Sequence, residues 1–377
     1  MTWLATRSPE QNGIAMAMPV GDHPDGYSAG MLLTQGSLCV DLLLDEAKTG
    51  GGPLLELTRG RDNRCNWPLT LRLDRSADRT VTLTLCQPGC HIHQSITAPH
   101  PVPISGGAAR LVYAWDSPAR WGRLAMISSA GAAITTADIS SPPPLQFEDA
   151  VALLANLPAA GRASGLLSAS FSTQIEPLAP LCGLAPEARI ATPEGTRPLS
   201  ALKRGDLVLT PEGDSVPILH CISRRVPPLG HDKLLRLRAP YFGLTGDLVV
   251  APHQRLVVSG ADVEYLFGRP DVRLTAAALQ GTAMVTDHTL ERRNTTSGEA
   301  TPLTSLAQLI LPRHQRFLAE GTAVESLNLG RLRRDRDGLA ASAFAYLDRS
   351  CLPEHVPDSA PLLRSFDVAV LAERRIA

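Results

Sequence analysis

The sequence has no long hydrophobic run. Nothing in it approaches the ~18 consecutive apolar residues that a membrane-spanning helix needs. It has no surplus of charge either: Lys plus Arg number 36 and Asp plus Glu 37, for a formal net charge of −1. So balanced a chain carries no broad electrostatic footprint for nucleic acid or an anionic membrane, and neither is expected as a partner. Residues 1–21 hold no apolar stretch flanked by positive charge, so no Sec-type signal peptide is expected. A cytoplasmic location and export without a cleaved N-terminal signal both stay open. The cysteines number seven, an odd count at irregular spacing, which excludes a disulfide framework. Helical periodicity is almost absent before residue 145.

What is present is a long series of short β-type runs. The 377 residues suffice for two domains with proper cores. In the first half, alternation predicts strands over 38–44, 54–59, 69–73, 80–86, 90–96, 110–115, 122–127 and 133–139, with Gly/Pro turns between them. Many short, evenly spaced strands imply an antiparallel β-sandwich. An apolar stripe at 147, 150, 151, 154 and 157 predicts a closing amphipathic helix. The run Leu111-Val112-Tyr113-Ala114-Trp115-Asp116, followed by Trp121-Gly122-Arg123-Leu124-Ala125, resembles a strand-turn-strand of concanavalin A-like jelly rolls. That resemblance implies a glycan or cell-surface ligand. The residues themselves single out no sugar-binding set, which leaves a structural sandwich carrying the second domain as the alternative.

Cys86, Cys90, His91 and His93 are spaced like a metal cluster, but they lie across a hairpin. Alternation puts Cys90 and Ile92 on one face and His91 and His93 on the other, so four ligands do not converge. No metal and no other cofactor is expected.

The second half is again mainly β, with strands predicted over 189–192, 207–210, 216–223, 234–238, 247–250, 255–258 and 272–274. The run Ile190-x-Thr192-Pro193-x-Gly195-x-Arg197-Pro198-Leu199, continuing to Leu202, Gly205-Asp206, Val208 and Thr210, resembles the opening of bacterial Hint domains. These are the self-processing modules of hedgehog proteins and inteins. Asp247-Leu248-x-Val250-Ala251-Pro252-His253-Gln254-Arg255-Leu256 is similar to that family's second motif. His314 to Gly330, with Glu320-Gly321 and Glu325-Ser326-Leu327, closes the match. The resemblance implies an all-β horseshoe in which a cysteine attacks the carbonyl just before it, an N-to-S acyl shift. An amide is a poor acyl donor, so that step needs a strong nucleophile, a proton for the departing nitrogen and polarisation of the scissile bond.

Carried over by residue, Cys182 is the candidate nucleophile, Leu181–Cys182 the candidate scissile bond and His253 the candidate acid. The register departs from the family in three ways. Counting back from Ile190 puts Gly183 at the cysteine position. Glu187-Ala188 stands where Gly-Thr is usual. The second motif reads Ala251-Pro252-His253-Gln254 where Ser/Thr-Pro-x-His is usual. On a strand, a one-residue shift sends a side chain to the opposite face. His314 falls at a family position with a structural or a catalytic role. Arg293-Asn294-Thr295 has the letters of a splice junction but reads as a solvated loop.

The expected organisation is therefore a sandwich with its helix over 1–158, a linker over 159–180, a Hint-type domain over 181–330 and a helical tail over 331–377. Within the tail, 331–338 reads as a charged linker, and 340–347 and 362–376 as helices. Two functions stand against each other: autoproteolysis at Cys182 that separates the sandwich, and a catalytically degenerate scaffold with a binding or surface role for the sandwich. Hydrolysis of an external substrate has no supporting Ser/His/Asp spacing.

Overall fold

The alternating runs fold as strands, with ends that move by a few residues from those expected. The computed structural model describes residues 3–9, 15–16, 30–44, 51–60, 67–76, 78–98, 108–128, 134–157, 165–179, 181–288, 303–356 and 358–376. The splice-like Asn294 and the cysteine at 65 lie outside them. Their partition is into two compact units: 3–179 together with 336–345, and 181–335 together with 346–376. Among the described residues, no helix is long and apolar enough to cross a membrane.

The first unit contains β1 (Trp3–Arg7), β2 (Ala15–Met16), β3 (Leu32–Leu33), β4 (Gln35–Leu43), β5 (Gly52–Arg59), β6 (Leu69–Arg75) and β7 (Thr80–Gln87). It continues with β8 (Cys90–Thr97), β9 (Ala108–Asp116), β10 (Trp121–Ser128), β11 (Ile134–Ser140), β12 (Leu145–Gln146), α1 (Phe147–Ala155) and β13 (Leu166–Ser172). A seven-stranded antiparallel sheet in the order β11-β10-β9-β4-β13-β1-β2 and a four-stranded sheet β5-β6-β7-β8 make the sandwich. The period of two delivers Leu38, Val40 and Leu42, Leu111, Tyr113 and Trp115 to the core from the first sheet. Leu69, Leu71, Leu73, Val81, Leu83 and Leu85 meet them from the second, and Phe147, Ala150, Leu153 and Leu154 of α1 join the same cluster.

Two expectations are corrected here. The stretch 159–180 holds β13, which pairs with both β1 and β4 inside the seven-stranded sheet. Its small residues (Ser168, Ala169, Ser170) read as a linker, yet they are buried in a strand flanked on both edges by β1 and β4. The expected tail is divided. Residues 331–338, expected as a linker, are helical as α3 (Gly330–Arg334) and α4 (Arg336–Ala340). Beyond Ala340 no helix continues: Leu178 N–H donates to Ala341 O and Ala343 N–H to Ala179 O, both at 2.9 Å, and Phe344 is fully buried.

The second unit is also mainly β. A six-stranded antiparallel sheet runs in the order β15 (Gly195–Pro198), β14 (Arg189–Thr192), β25 (Arg316–Ala319), β26 (Thr322–Glu325), β21 (Arg255–Ser259) and β22 (Asp271–Thr275). Beside it are the pairs β16 (Leu207–Leu209) with β17 (Ser215–Pro217) and β18 (His220–Val226) with β24 (Thr304–Ile310). A three-stranded sheet is formed by β20 (Leu248–Val250), β19 (Leu235–Leu237) and β23 (Val285–Asp287). The single strand expected over 216–223 is two strands. After Pro217 the chain changes partners, since Ile218 N–H bonds Asp206 O and Leu219 N–H bonds Ile310 O. Helix α2 (Ala261–Phe267) and helix α5 (Ser365–Ile376) complete this unit, with Val368, Leu371 and Ala372 in its core.

Candidate functional site

The site begins where the chain enters the second unit. Leu184 is completely buried and bridges two strands at once. Its N–H donates to Ala307 O at 2.8 Å, and its carbonyl accepts from Ala307 N–H at 2.9 Å. On the other side Ala185 N–H bonds Val249 O at 2.9 Å and Ala251 N–H bonds Gly183 O at 2.8 Å. The short segment 183–185 is thus held between the residues of β20 and β24. A Cβ on Gly183 would stand 3.1 Å from Leu306 Cβ and 3.3 Å from Ala307 O, so the position that matches the family's cysteine register is pressed against strand β24.

Cys182 stands one residue before this clamp and stays half-buried. Its Sγ lies 3.6 Å from Gln308 Nε2. Gln308 is on β24, opposite Ile222 of β18, and is 2 % exposed. Its Nε2 also donates to Gln254 Oε1 at 2.7 Å, and its Oε1 accepts the Leu309 N–H at 3.0 Å. Gln254, 1 % exposed, donates through Nε2 to Arg255 O and to Glu325 O, both at 3.1 Å. The chain of contacts from the thiol therefore runs Cys182, Gln308, Gln254, Glu325, and both side chains between the ends are carboxamides. Burial pushes the Cys182 thiol up, while the Gln308 hydrogen bond and the Arg224 and Arg255 guanidiniums act in the opposite direction.

The His253 ring faces that of His231, with ring centroids 5.2 Å apart. Residues 251–254 lie between the expected strands and form a turn between β20 and β21, closed by Gln254 N–H to Ala251 O at 3.0 Å. The turn sends the two neighbouring side chains to different surroundings. Gln254, which stands in sequence where the motif has histidine, is buried.

Behind Gln254 is a buried ionic cluster. Glu325, the last residue of β26, meets Arg273 Nη1 at 3.0 Å and both Arg255 Nη1 and His314 Nε2 at 3.5 Å. Burial works against its carboxylate, but His314, Arg255 and Arg273 outweigh it and hold the group below its usual range. Asn328 Nδ2 donates to His314 Nδ1 at 3.1 Å, which leaves the His314 proton on Nε2, toward Glu325. His355 lies beyond, its ring 6.2 Å from that of His314. Its Nδ1 accepts the Leu329 N–H at 3.0 Å and its Nε2 donates to Leu311 O at 2.9 Å. The structure thus puts His314 on Glu325, and Gln254 lies between that pair and Gln308.

In the sandwich, Cys86 is directly opposite His91, both His91 and His93 face outward, and Cys90 packs against the core. Among the described residues no group of three or more His, Cys, Asp or Glu is placed to hold a metal ion.

The sequence marked Glu325 only within the closing segment Glu325-Ser326-Leu327, with no role, and did not mark Gln308. A signal existed for Gln308: it is a lone polar residue inside the apolar run Leu306-Ala307-Gln308-Leu309-Ile310-Leu311, and a polar group in such a run needs buried partners.

Residues 182–331 match the family model of the Hint domain. No curated protein matches the chain. Among solved structures, the gp41-1 intein is 12 % identical, with a TM-score of 0.25 over 39 % of this chain and 98 % of that one. An MchDnaB-1 intein (N145AA) is 16 % identical, with a TM-score of 0.25 over 38 % of this chain and 99 % of that one. The LG1-3 region of the laminin alpha2 chain is 12 % identical, with a TM-score of 0.22 over 69 % of this chain and 37 % of that one.

Proposed function

Residues 182–331 form a Hint domain, and from that premise we propose that it acts as an uncleaved scaffold, keeping the Leu181–Cys182 bond intact and the sandwich in one chain with it. The observation that carries this reading is the carboxamide pair. Gln254 stands in sequence where the motif has histidine, and Gln308 is the side chain in contact with the thiol. A carboxamide neither gives nor takes a proton near neutral pH. With the Cys182 thiol pushed up by burial, the thiolate fraction is small, and neither of these two carboxamides can supply the proton that the departing nitrogen of an acyl shift needs. The sandwich is then the part that meets a partner. The outward face of β7 and β8, with Thr80, Thr82, Thr84, His91, His93 and Ser95, offers hydroxyl and imidazole groups suited to a glycan or cell-surface ligand.

A second reading, autoproteolysis by N-to-S acyl shift at Cys182, is favoured by one contact: a donor 3.6 Å from the sulfur lowers the cost of a thiolate. One experiment separates the two. The full chain is incubated with a thiol such as DTT and its mass is measured over time. An intact chain supports the scaffold. Fragments divided at Leu181–Cys182 that are absent in Cys182→Ala would establish autoproteolysis and overturn it.

A further inference from the structure

Past the Hint match the chain comes back onto the second unit and is held there by two clasps of different chemistry. One is the His355 ring, and the other is the pair Arg316 and Asp358. We propose that residues 352–356 are a lid over His314 that opens when His355 takes a second proton and stays hinged on Asp358. The lid gates the His314–Glu325 pair, the proton-carrying groups next to Gln254. It does so whether or not the Leu181–Cys182 bond is cut.

The His355 clasp fits one protonation state. Nδ1 accepts the Leu329 N–H at 3.0 Å and Nε2 donates to Leu311 O at 2.9 Å. One nitrogen is an acceptor and the other a donor, as in the neutral ring. A proton on Nδ1 would meet the Leu329 N–H donor to donor. His355 is buried, so a charged ring there has no water shell. His314 faces it, with ring centroids 6.2 Å apart, and opposes a second charge. Glu325 contacts His314 but is shared with Arg255 and Arg273, and Arg333 of α3 is paired with Glu354. Burial and the His314 ring keep the His355 imidazole below its ordinary range, against the pull of the Leu311 and Leu327 carbonyls. The closed lid is therefore fully stabilised above about pH 6.5 and loses that contribution as pH falls. While it is closed, the His314 side chain is 1 % exposed.

The second clasp holds across that range. Arg316 Nε and Nη2 each meet an Asp358 oxygen at 3.0 Å. Burial works against the Asp358 carboxylate, but the guanidinium outweighs it and holds the group below its usual range. The chain then pairs with the edge of β22. Arg273 N–H donates to Pro361 O and Leu363 N–H to Arg273 O, both at 2.8 Å, and Arg273 Nε donates to Ala360 O at 2.7 Å. None of these bonds involves a group that titrates near about pH 6, so protonation frees one end and leaves the other docked.

The test is amide hydrogen exchange on the full chain at about pH 7.5 and about pH 5.5, with the intrinsic pH dependence of exchange divided out. The Leu329 N–H reports the lid, because its acceptor is the His355 ring. The Arg273 and Leu363 N–H groups report the hinge, and show in each variant that the unit is folded. Leu329 protection should fall by up to about tenfold per pH unit below about 6.5, while Arg273 and Leu363 keep theirs. His355→Gln should remove the pH dependence at Leu329. Gly330→Ala opens the lid without changing a titratable group: a Cβ there collides with His355 O, so Leu329 should exchange fast at both pH values. Equal Leu329 protection at both pH values in the unaltered chain, or the same fall in His355→Gln, would overturn the proposal. So would joint loss at Leu329, Arg273 and Leu363, which reports unfolding of the whole unit, or a Gly330→Ala chain that keeps Leu329 protected.

Discussion

Gln308 Nε2 donates to Gln254 Oε1 at 2.7 Å, and the two carboxamides are fixed by that bond in the second unit's core. Each is satisfied on both of its ends, Gln308 by Cys182 and Leu309, Gln254 by Arg255 and Glu325. Such a pair resists replacement: it is stable because it is complete, and a change at one member strands the groups of the other.

Gln254→Leu tests that statement. The substitution removes the partner of Gln308 Nε2 and the donor to two buried carbonyls, with no volume problem to confuse the result. Each stranded group costs ~1–3 kcal/mol, and partial relaxation should hold the sum to ~2–4 kcal/mol. The midpoint of urea unfolding should fall accordingly. An unchanged midpoint would mean that the hydrogen bonds contribute no net stability.

Glu325→Ala should be more damaging. It withdraws the one carboxylate that Arg273, Arg255 and His314 share. Breaking a buried pair by removing one partner costs ~3–5 kcal/mol, and the partial exposure of Arg255 places the effect at the lower end of that range. Thermal unfolding is the measure. Glu325→Gln, which keeps the shape and can still accept from Arg273, should lose less than the alanine variant.

Acid should weaken the second unit in two stages. Burial lowers the His355 imidazole from its ordinary range, and its contacts require the neutral ring with Nδ1 as acceptor. A group whose folded pKa is depressed contributes stability that is complete above its unfolded pKa and is lost as pH falls toward the folded one. For His355 that loss starts below about 6.5. Glu325 is also depressed, so its contribution fades below about 4.3. The melting temperature should therefore decline from neutral pH downward, and His355→Gln should flatten the upper stage alone. A melting temperature that rose on acidification through this range would contradict both signs.

The strands were legible because alternation of apolar and polar residues is a local property. From Leu69–Arg75 through Cys90–Thr97, sequence and structure agree to within two residues. Strand β13 was not legible, because a run of Ser and Ala is buried only by what lies on either side of it. The site was partly legible. The motif's register puts its cysteine at Gly183 and Cys182 one residue before it, and the register alone did not say what the turn at 251–254 does with its side chains. A turn obeys no period of two, and in this one Gln254 is buried. Gln308 comes from a strand far downstream, and no spacing in the sequence links it to Cys182; Glu325 was named only as part of the closing motif, with no role attached.

The strip of chain at 336–345 has a bearing on any cut at Leu181–Cys182. It lies downstream of that bond, yet it is built into the first unit through Ala341 and Ala343 beside Leu178 and Ala179, with Phe344 sealed beneath. Hydrolysis of the bond would therefore produce a nick and not two free proteins. The fragments would stay interlocked, and only denaturation would part them, so a native gel would report one particle whether or not the bond had been broken.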